Sequence, residues 1–147
     1  MKQIVLSCFA ALLVCVGTAQ SLSVAQLRCE SRVNPLGIDV VHPMLSWTIQ
    51  SDKQGIVQTA YRMLVADDAQ LLDKNIGNIW DSKKVVSDAS IQVAYAGKLL
   101  SSAKKYYWKL MVWDNRGNVS PWSARAQWRM GLLQKKDWGE AKWIGCV

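Results

Sequence analysis

The chain has 147 residues, half of them hydrophobic, and carries 18 Lys and Arg against 11 Asp and Glu for a formal charge of +7. That length suits one domain with short appendages, and that apolar content fills one core rather than two. The basic balance does not read as nucleic-acid binding: the lysines fall in scattered pairs, Lys83-Lys84, Lys104-Lys105 and Lys135-Lys136, with Asp81, Asp88 and Asp137 close by, and no basic helix, zinc spacing or RNA-binding aromatic signature joins them.

Residues 1–19 read as a signal-peptide helix. Lys2 supplies the positive end, Ile4 to Val16 an apolar run too short to span a membrane comfortably, and Gly17-Thr18-Ala19 the small residues for cleavage after Ala19. A lipid anchor on Cys8 or Cys15 is the alternative. Val14 is a poor residue before a lipidated cysteine, and Cys8 sits too early to follow an apolar run. The expectation is an exported chain, periplasmic or extracellular, with no membrane span.

Residues 22–131 read as about seven short strands. Val24 to Glu30 is the first, with Ala25, Leu27 and Cys29 facing one way and Gln26, Arg28 and Glu30 the other. Without the leader, Cys29 and Cys146 remain; export permits them to pair, while the strand position reads as a small buried thiol. Asn34-Pro35-Leu36-Gly37 breaks the strand, and Ile38 to Val41 runs extended to His42-Pro43. His42 is the only histidine. It has no neighbouring nucleophile, and two distant cysteines do not complete a zinc site, so no metal or cofactor is expected.

Met44 to Gln50 follows, with Leu45, Trp47 and Ile49 inward. Asp52 to Gly55 turns. Gln58 to Asp67 is a strand with Tyr61, Met63 and Val65 assigned to the core. Asp67 caps one helical turn through Leu72. Ile79-Trp80-Asp81 opens a short strand continuing into Val85-Val86. Ser90 to Tyr95 is another, with Ile91, Val93 and Tyr95 on one face.

The stretch Tyr106 to Trp128 organises the rest. A long strand ends at Asp114, Asn115-Arg116-Gly117-Asn118 turns, and a last strand leaves from Trp122 and closes at Gly131. Alternation sets Tyr106, Trp108, Leu110 and Val112 inward, and Tyr107, Lys109, Met111 and Trp113 on a half-covered outer face. Regularly spaced strands with Gly, Asn and Asp turns indicate an all-β, antiparallel sandwich. The interval from Leu100 to Tyr106 resembles the fibronectin type III pattern; by that resemblance the sandwich is of the immunoglobulin/fibronectin type III kind, and Tyr106 is the structural tyrosine-corner residue, its hydroxyl bonding back to the loop.

Read together, Leu27-Arg28-Cys29-Glu30, Asn34 to Asp39, His42 to Trp47, Gln58-Thr59-Ala60-Tyr61, Ile79 to Ser82, Tyr106-Tyr107-Trp108-Lys109, Ser120-Pro121-Trp122-Ser123 and Lys142-Trp143-Ile144-Gly145 resemble the opening module of bacterial α-L-rhamnosidases of glycoside hydrolase family 78. The resemblance implies an N-terminal β-sandwich ahead of further β domains and an (α/α)₆ barrel. That barrel supplies the acid and base for inverting hydrolysis of terminal α-L-rhamnosides. Residues 132–147 would be the tail leading to the next domain. The glutamates Glu30 and Glu140 lie in no catalytic motif of the family, so no catalytic residue is assigned.

The chain is then either a fragment truncated before the catalytic domain or a stand-alone module. The first reading is an accessory, structural domain whose partners are the following rhamnosidase domains. The alternative is a carbohydrate-binding module for plant or bacterial glycans. Candidate sugar or interdomain contacts are Trp80, Trp113, Trp138 and Trp143, with Lys109, Asp114 and Arg116 as hydroxyl-bonding neighbours.

Overall fold

In the computed structural model, which describes residues 22–142, 144 and 145, the longest ladder pairs β3 (Gln58–Ala66) with β7 (Lys105–Asp114). The expectations for residues 1–19, Cys8, Cys15, Trp143 and Cys146 fall outside the described residues. The remaining elements are β1 (Ser23–Cys29), β2 (Met44–Gln50), α1 (Ala69–Asp73), β4 (Trp80–Asp81), β5 (Val85–Val86), β6 (Val93–Ala94) and β8 (Ala126–Arg129). One sheet runs β1-β2-β6. The other runs β4-β3-β7-β8, with β5 also on β3, and every strand pairing is antiparallel. This is the expected all-β sandwich.

Its core follows the phase of β7. Tyr106, Trp108, Leu110 and Val112 are buried and meet Tyr61, Met63 and Val65 of β3 and Leu45 and Trp47 of the facing sheet. Trp128 of β8 stands between Tyr106 (5.7 Å between ring centroids), Tyr95 (6.1 Å) and Trp108 (6.5 Å). The Tyr95 and Trp108 contacts are edge-on, the geometry favoured by ring quadrupoles. Trp47 Nε1 donates to Gln58 Oε1 at 2.8 Å, and Gln58 Nε2 donates to the Ser87 and Ala89 carbonyls, so the buried amide is satisfied. The Tyr106 hydroxyl accepts from Ser101 N at 2.9 Å.

Several local expectations change. In β1 the register shifts between Ala25 and Arg28, and Gln26 takes φ +50°. This bulge inserts a residue and flips the phase. Leu22 and Val24 face the core before it, Leu27 and Cys29 after it, and Ala25 is only half-buried. The strand expected across residues 79–86 is two strands. Asp81 Oδ1 accepts from Lys83 N at 3.0 Å, and Lys83 sits at φ +54°, so the chain kinks between them. Eight strands result instead of about seven.

Ser90 to Tyr95 is reduced to β6 because Gln92 takes φ +53°; Ile91 is 73% exposed and leaves the face that Tyr95 shares with the core. Trp122 does not begin the last strand, which starts at Ala126. Before it, Ser120 Oγ and Ser123 Oγ accept from Val112 N and Leu110 N, so hydroxyls replace carbonyls along β7, and Pro121 has no N–H to offer. The helix cap is Asp68, which accepts from Gln70 N at 2.8 Å. Asp67 is held instead by Asn78 and Lys104.

Strand directions sort the connections into two ends. The 51–57 and 115–118 turns meet at one. The 30–43 loop, α1, the 95–104 connection and the exit from β8 gather at the other. There Ile38 bonds to both Arg129 and Gly131, so the 35–38 segment lies against the end of β8.

Candidate functional site

The outer face of the larger sheet alternates rings with cations. Lys84 Nζ lies 4.6 Å from the Trp113 ring centroid. Trp122, arriving from the segment after the 115–118 turn, is flanked by Lys109 Nζ at 5.3 Å and the Arg62 guanidinium at 5.9 Å. Tyr107 meets Arg125 at 5.6 Å and Lys105 at 5.9 Å. These are cation–π distances. Leu64 and Ala66 beneath them are buried with Leu72 of α1 and packed by Leu71, Tyr107 and Trp122.

Acids fix the two arginines. Arg62 makes a fork with Asp81, Nε to Oδ1 at 3.0 Å and Nη2 to Oδ2 at 2.8 Å, and Lys83 Nζ adds a bond of 2.7 Å. The Arg62 hydrogen bonds hold the Asp81 carboxyl well below the usual carboxylate range. Arg125 Nη1 reaches both oxygens of Asp73 at 3.0 Å. Lys109 is only 8% exposed, and burial lowers its ammonium pKa. The face thus combines two arginine ion pairs with lysines set over half-buried rings.

The aromatic candidates are not brought together. Trp113 pairs with Ala60 on the outer face of the sheet, while Trp80 pairs with Val65, whose side chain points into the core. Trp80 packs edge-on against Tyr95 at 5.2 Å and belongs to the margin of the core. Gly97 lies so close that a Cβ there would stand 2.6 Å from Trp80 Cβ. Trp138 is half-exposed in a 3-10 turn at Lys135–Trp138, beside a hollow of about 340 Å³ lined by Lys135, Gly139, Ala141 and Lys142.

The polar candidates serve the fold. Asp114 is buried and accepts from Arg116 N, Asn118 N and Asn118 Nδ2, while Arg116 Nη2 donates to the Gln54 carbonyl at 2.9 Å. His42 Nδ1 donates to the Tyr95 carbonyl at 3.1 Å. Glu30 accepts from Met44 N at 2.6 Å. Cys29 is buried and unpaired; desolvation pushes its thiol up to about 12, the opposite of a reactive cysteine. Among the described residues no group of three or more His, Cys, Asp or Glu could hold a metal ion, and no helix is long and apolar enough to cross a membrane.

Sequence reasoning missed the Trp122 site. Its ring is carried by a segment that runs beside β7, where Ser120 N and Ser123 N donate to the Val112 and Leu110 carbonyls and the serine hydroxyls accept in return, and no alternation marks so irregular an edge. The only available signal was Ser-Pro-Trp-Ser itself, where Pro121 argues against a ladder position.

Comparisons with known proteins agree with one another. Residues 24–134 match the family model described as the Rha78A-like, N-terminal immunoglobulin domain. An α-L-rhamnosidase of Formosa agariphila is 41% identical over 124 residues, which is 84% of this chain and 13% of that protein. One from Streptomyces avermitilis is 46% identical over 110 residues, 75% of this chain and 10% of that protein. The chain thus spans only about an eighth to a tenth of the length of these relatives. Among solved structures, the Streptomyces avermitilis α-L-rhamnosidase complexed with L-rhamnose superposes with a TM-score of 0.77 at 41% identity, covering 81% of this chain and 11% of that one. The α-L-rhamnosidase from Dictyoglumus thermophilum gives 0.78 at 35% identity, covering 80% and 13%.

Proposed function

This chain belongs to the Rha78A-like N-terminal immunoglobulin domains, and from that membership we propose that it is the non-catalytic accessory module at the front of an exported α-L-rhamnosidase. The lopsided match carries the reading: 84% of this chain aligns with only 13% of a relative. A segment of that share supplies a folded unit to a larger enzyme, and terminal α-L-rhamnosides are turned over elsewhere in it, by inversion. The chemistry of the module supports the same view. Its glutamates are spent or remote, Glu30 on the Met44 amide and Glu140 in the exposed tail, whereas inverting hydrolysis needs two carboxyl groups facing one sugar.

Glycan binding through Trp80 or Trp113 is the competing reading. The Lys84 ammonium over Trp113 and the packing of Trp80 on Tyr95 weigh against it, because a sugar needs a bare ring face. The purified chain is expected to release no nitrophenol from an aryl α-L-rhamnoside. It is also expected to give no heat with L-rhamnose or rhamnosylated polymers, in the native form or as Trp113→Ala. Nitrophenol release would overturn the accessory reading. Heat abolished by Trp113→Ala would replace it with the glycan-binding one.

A further inference from the structure

The geometry points to the end of the sandwich built from the 35–41 segment, the 99–103 connection and the exit from β8 as a docking surface for the next domain of a rhamnosidase-length polypeptide. The inference rests on the accessory reading above and adds the surface and its residues.

Apolar side chains are exposed on all three of its segments. Leu36 is 70% exposed and Leu99 83%, and Val40, Val41, Leu132 and Trp138 are also exposed. Their segments are held side by side. Ile38 N donates to the Arg129 carbonyl at 3.0 Å and Gly131 N to the Ile38 carbonyl at 2.7 Å, tying the 35–41 segment to the strand exit. Ala103 N donates to the Gly131 carbonyl at 3.0 Å, and Leu133 N to Ser102 Oγ at 3.1 Å, tying the 99–103 connection to the same exit. Ser102 Oγ also donates to Asp137, which fixes the start of the 3-10 turn carrying Trp138. The surface is therefore held in place before any partner arrives, and apolar groups so arranged mark an interaction site.

The opposite end also exposes Val57 (53%) and Val119 (48%), but its turns are bonded to each other. Asn115 Nδ2 donates to the Gly55 carbonyl at 3.0 Å, Asn115 N to the Val57 carbonyl at 2.9 Å, and Arg116 Nη2 to the Gln54 carbonyl at 2.9 Å. Its two turns close on each other.

Two observations name the occupant. The relatives carry roughly seven-eighths or more of their length outside the matched segment, since the match takes 13% and 10% of them. Residues 132–142 leave the sandwich through this end, so whatever follows them in a longer chain is delivered to it. Lys135, Lys136 and Lys142 are exposed on this exit, Lys135 and Lys142 in the hollow beside Trp138, while Asp137 is engaged by Ser102 and Gln134 N. The partner surface should be apolar with an acidic margin.

The test compares this chain alone with a chimera in which it replaces the 124 matched residues of the Formosa agariphila α-L-rhamnosidase. In the chimera, amide hydrogen exchange at 36, 40, 41 and 99 should slow by about tenfold or more, while 54, 57 and 115–118 exchange alike in both. A chimera that hydrolyses an aryl rhamnoside yet exchanges at the isolated rate overturns the docking surface and leaves the accessory reading standing. Concentration-dependent protection of the same amides in the isolated chain makes the occupant a second copy and overturns the assignment.

If the chimera does not fold, the accessory reading loses support and the isolated chain decides the surface. Val40→Lys/Leu99→Lys should keep its Tm within about 2 °C and lose most of its anilinonaphthalene sulfonate fluorescence, with Val57→Lys/Val119→Lys as a silent control. Unchanged fluorescence, or collapse of the Val40→Lys/Leu99→Lys fold, overturns the inference.

Discussion

Along β7, residues 106, 108, 110 and 112 share a backbone with residues 107, 109, 111 and 113 but not a chemistry. The first set is wholly apolar or aromatic and is closed by the facing sheet. The second holds a lysine and two rings, and it is covered by α1 and by the segment carrying Trp122. Both faces exclude water to a similar depth at their centres: Trp108 is 0% exposed and Lys109 8%. A lysine on a strand therefore does not announce a solvated face. Its methylene stem covers apolar surface while the ammonium finds an aromatic ring. The two faces differ in what a substitution should remove: packed volume inside, and a set of charge–ring and charge–charge contacts outside.

The largest expected effect is on the inner face. Trp108→Ala removes a fully buried indole that touches Trp128, and should destabilise the fold by about 3–5 kcal/mol. In a domain of this size that approaches the whole of the stability, so the variant should be largely unfolded at 37 °C. Trp113→Ala on the same strand should cost about 1 kcal/mol, because its ring is only half-buried. Urea unfolding followed by far-ultraviolet circular dichroism measures both. Equal losses would mean that the outer face is as tightly packed as the core.

What could be read in advance follows the same division. The inner phase of β7 was legible because four large residues alternate without interruption, and the motifs spread from Leu27 to Gly145 carried the family. The β1 bulge was legible only in part. Leu22 and Val24 keep one phase and Leu27 and Cys29 the other, and Gln26 at φ +50° joins them; a reading that imposes a single phase must misplace Ala25. Trp80 and Trp113 looked alike as exposed rings, since nothing local shows that they pair with β3 on opposite faces of one sheet. That fact lives in the register between strands. The Arg62–Asp81 fork was hidden for the same reason: its members lie 19 positions apart and meet only through the pairing of β3 with β4.

That fork carries the middle prediction. Asp81→Asn removes the bidentate acceptor for Arg62 and the partner of Lys83, and loosens the guanidinium beside Trp122. With the Arg62 side chain 35% exposed, solvent screens part of the gain, so the loss at pH 7 should be about 1–2 kcal/mol. The pH dependence has a definite sign. The folded carboxyl titrates below its ordinary value of 3.8, chiefly through the Arg62 hydrogen bonds. Its stabilisation is therefore complete above that value and is lost as pH falls through the folded one. The gap between native and Asp81→Asn proteins should be the same at pH 7 and pH 5.5 and should narrow below about pH 4. A gap that stays constant to pH 2 would show that the variant acts through packing and not through charge.

The smallest expected effect isolates a single charge–ring contact. Lys84 is exposed on the strand side of β5 and meets Trp113 at 4.6 Å, with no acid bonded to its ammonium among the described contacts. Lys84→Met keeps the methylene stem and removes the charge, so the loss should be about 0.5 kcal/mol, the value for an exposed cation over an indole. The Trp113 emission should change with it, because the ammonium sits over that ring; in a Trp113→Phe background the same Lys84 substitution should leave emission unaltered. Added salt supplies the second readout. A contact between a cation and a quadrupole is short-ranged and weakly screened, whereas an ion pair with a distant acid fades over a Debye length. Native and Lys84→Met proteins should therefore keep the same stability difference between 0.05 and 0.5 M salt, to within about 0.2 kcal/mol. A difference that vanishes at high salt would assign Lys84 to the carboxylates of the outer face and leave Trp113 held by packing alone.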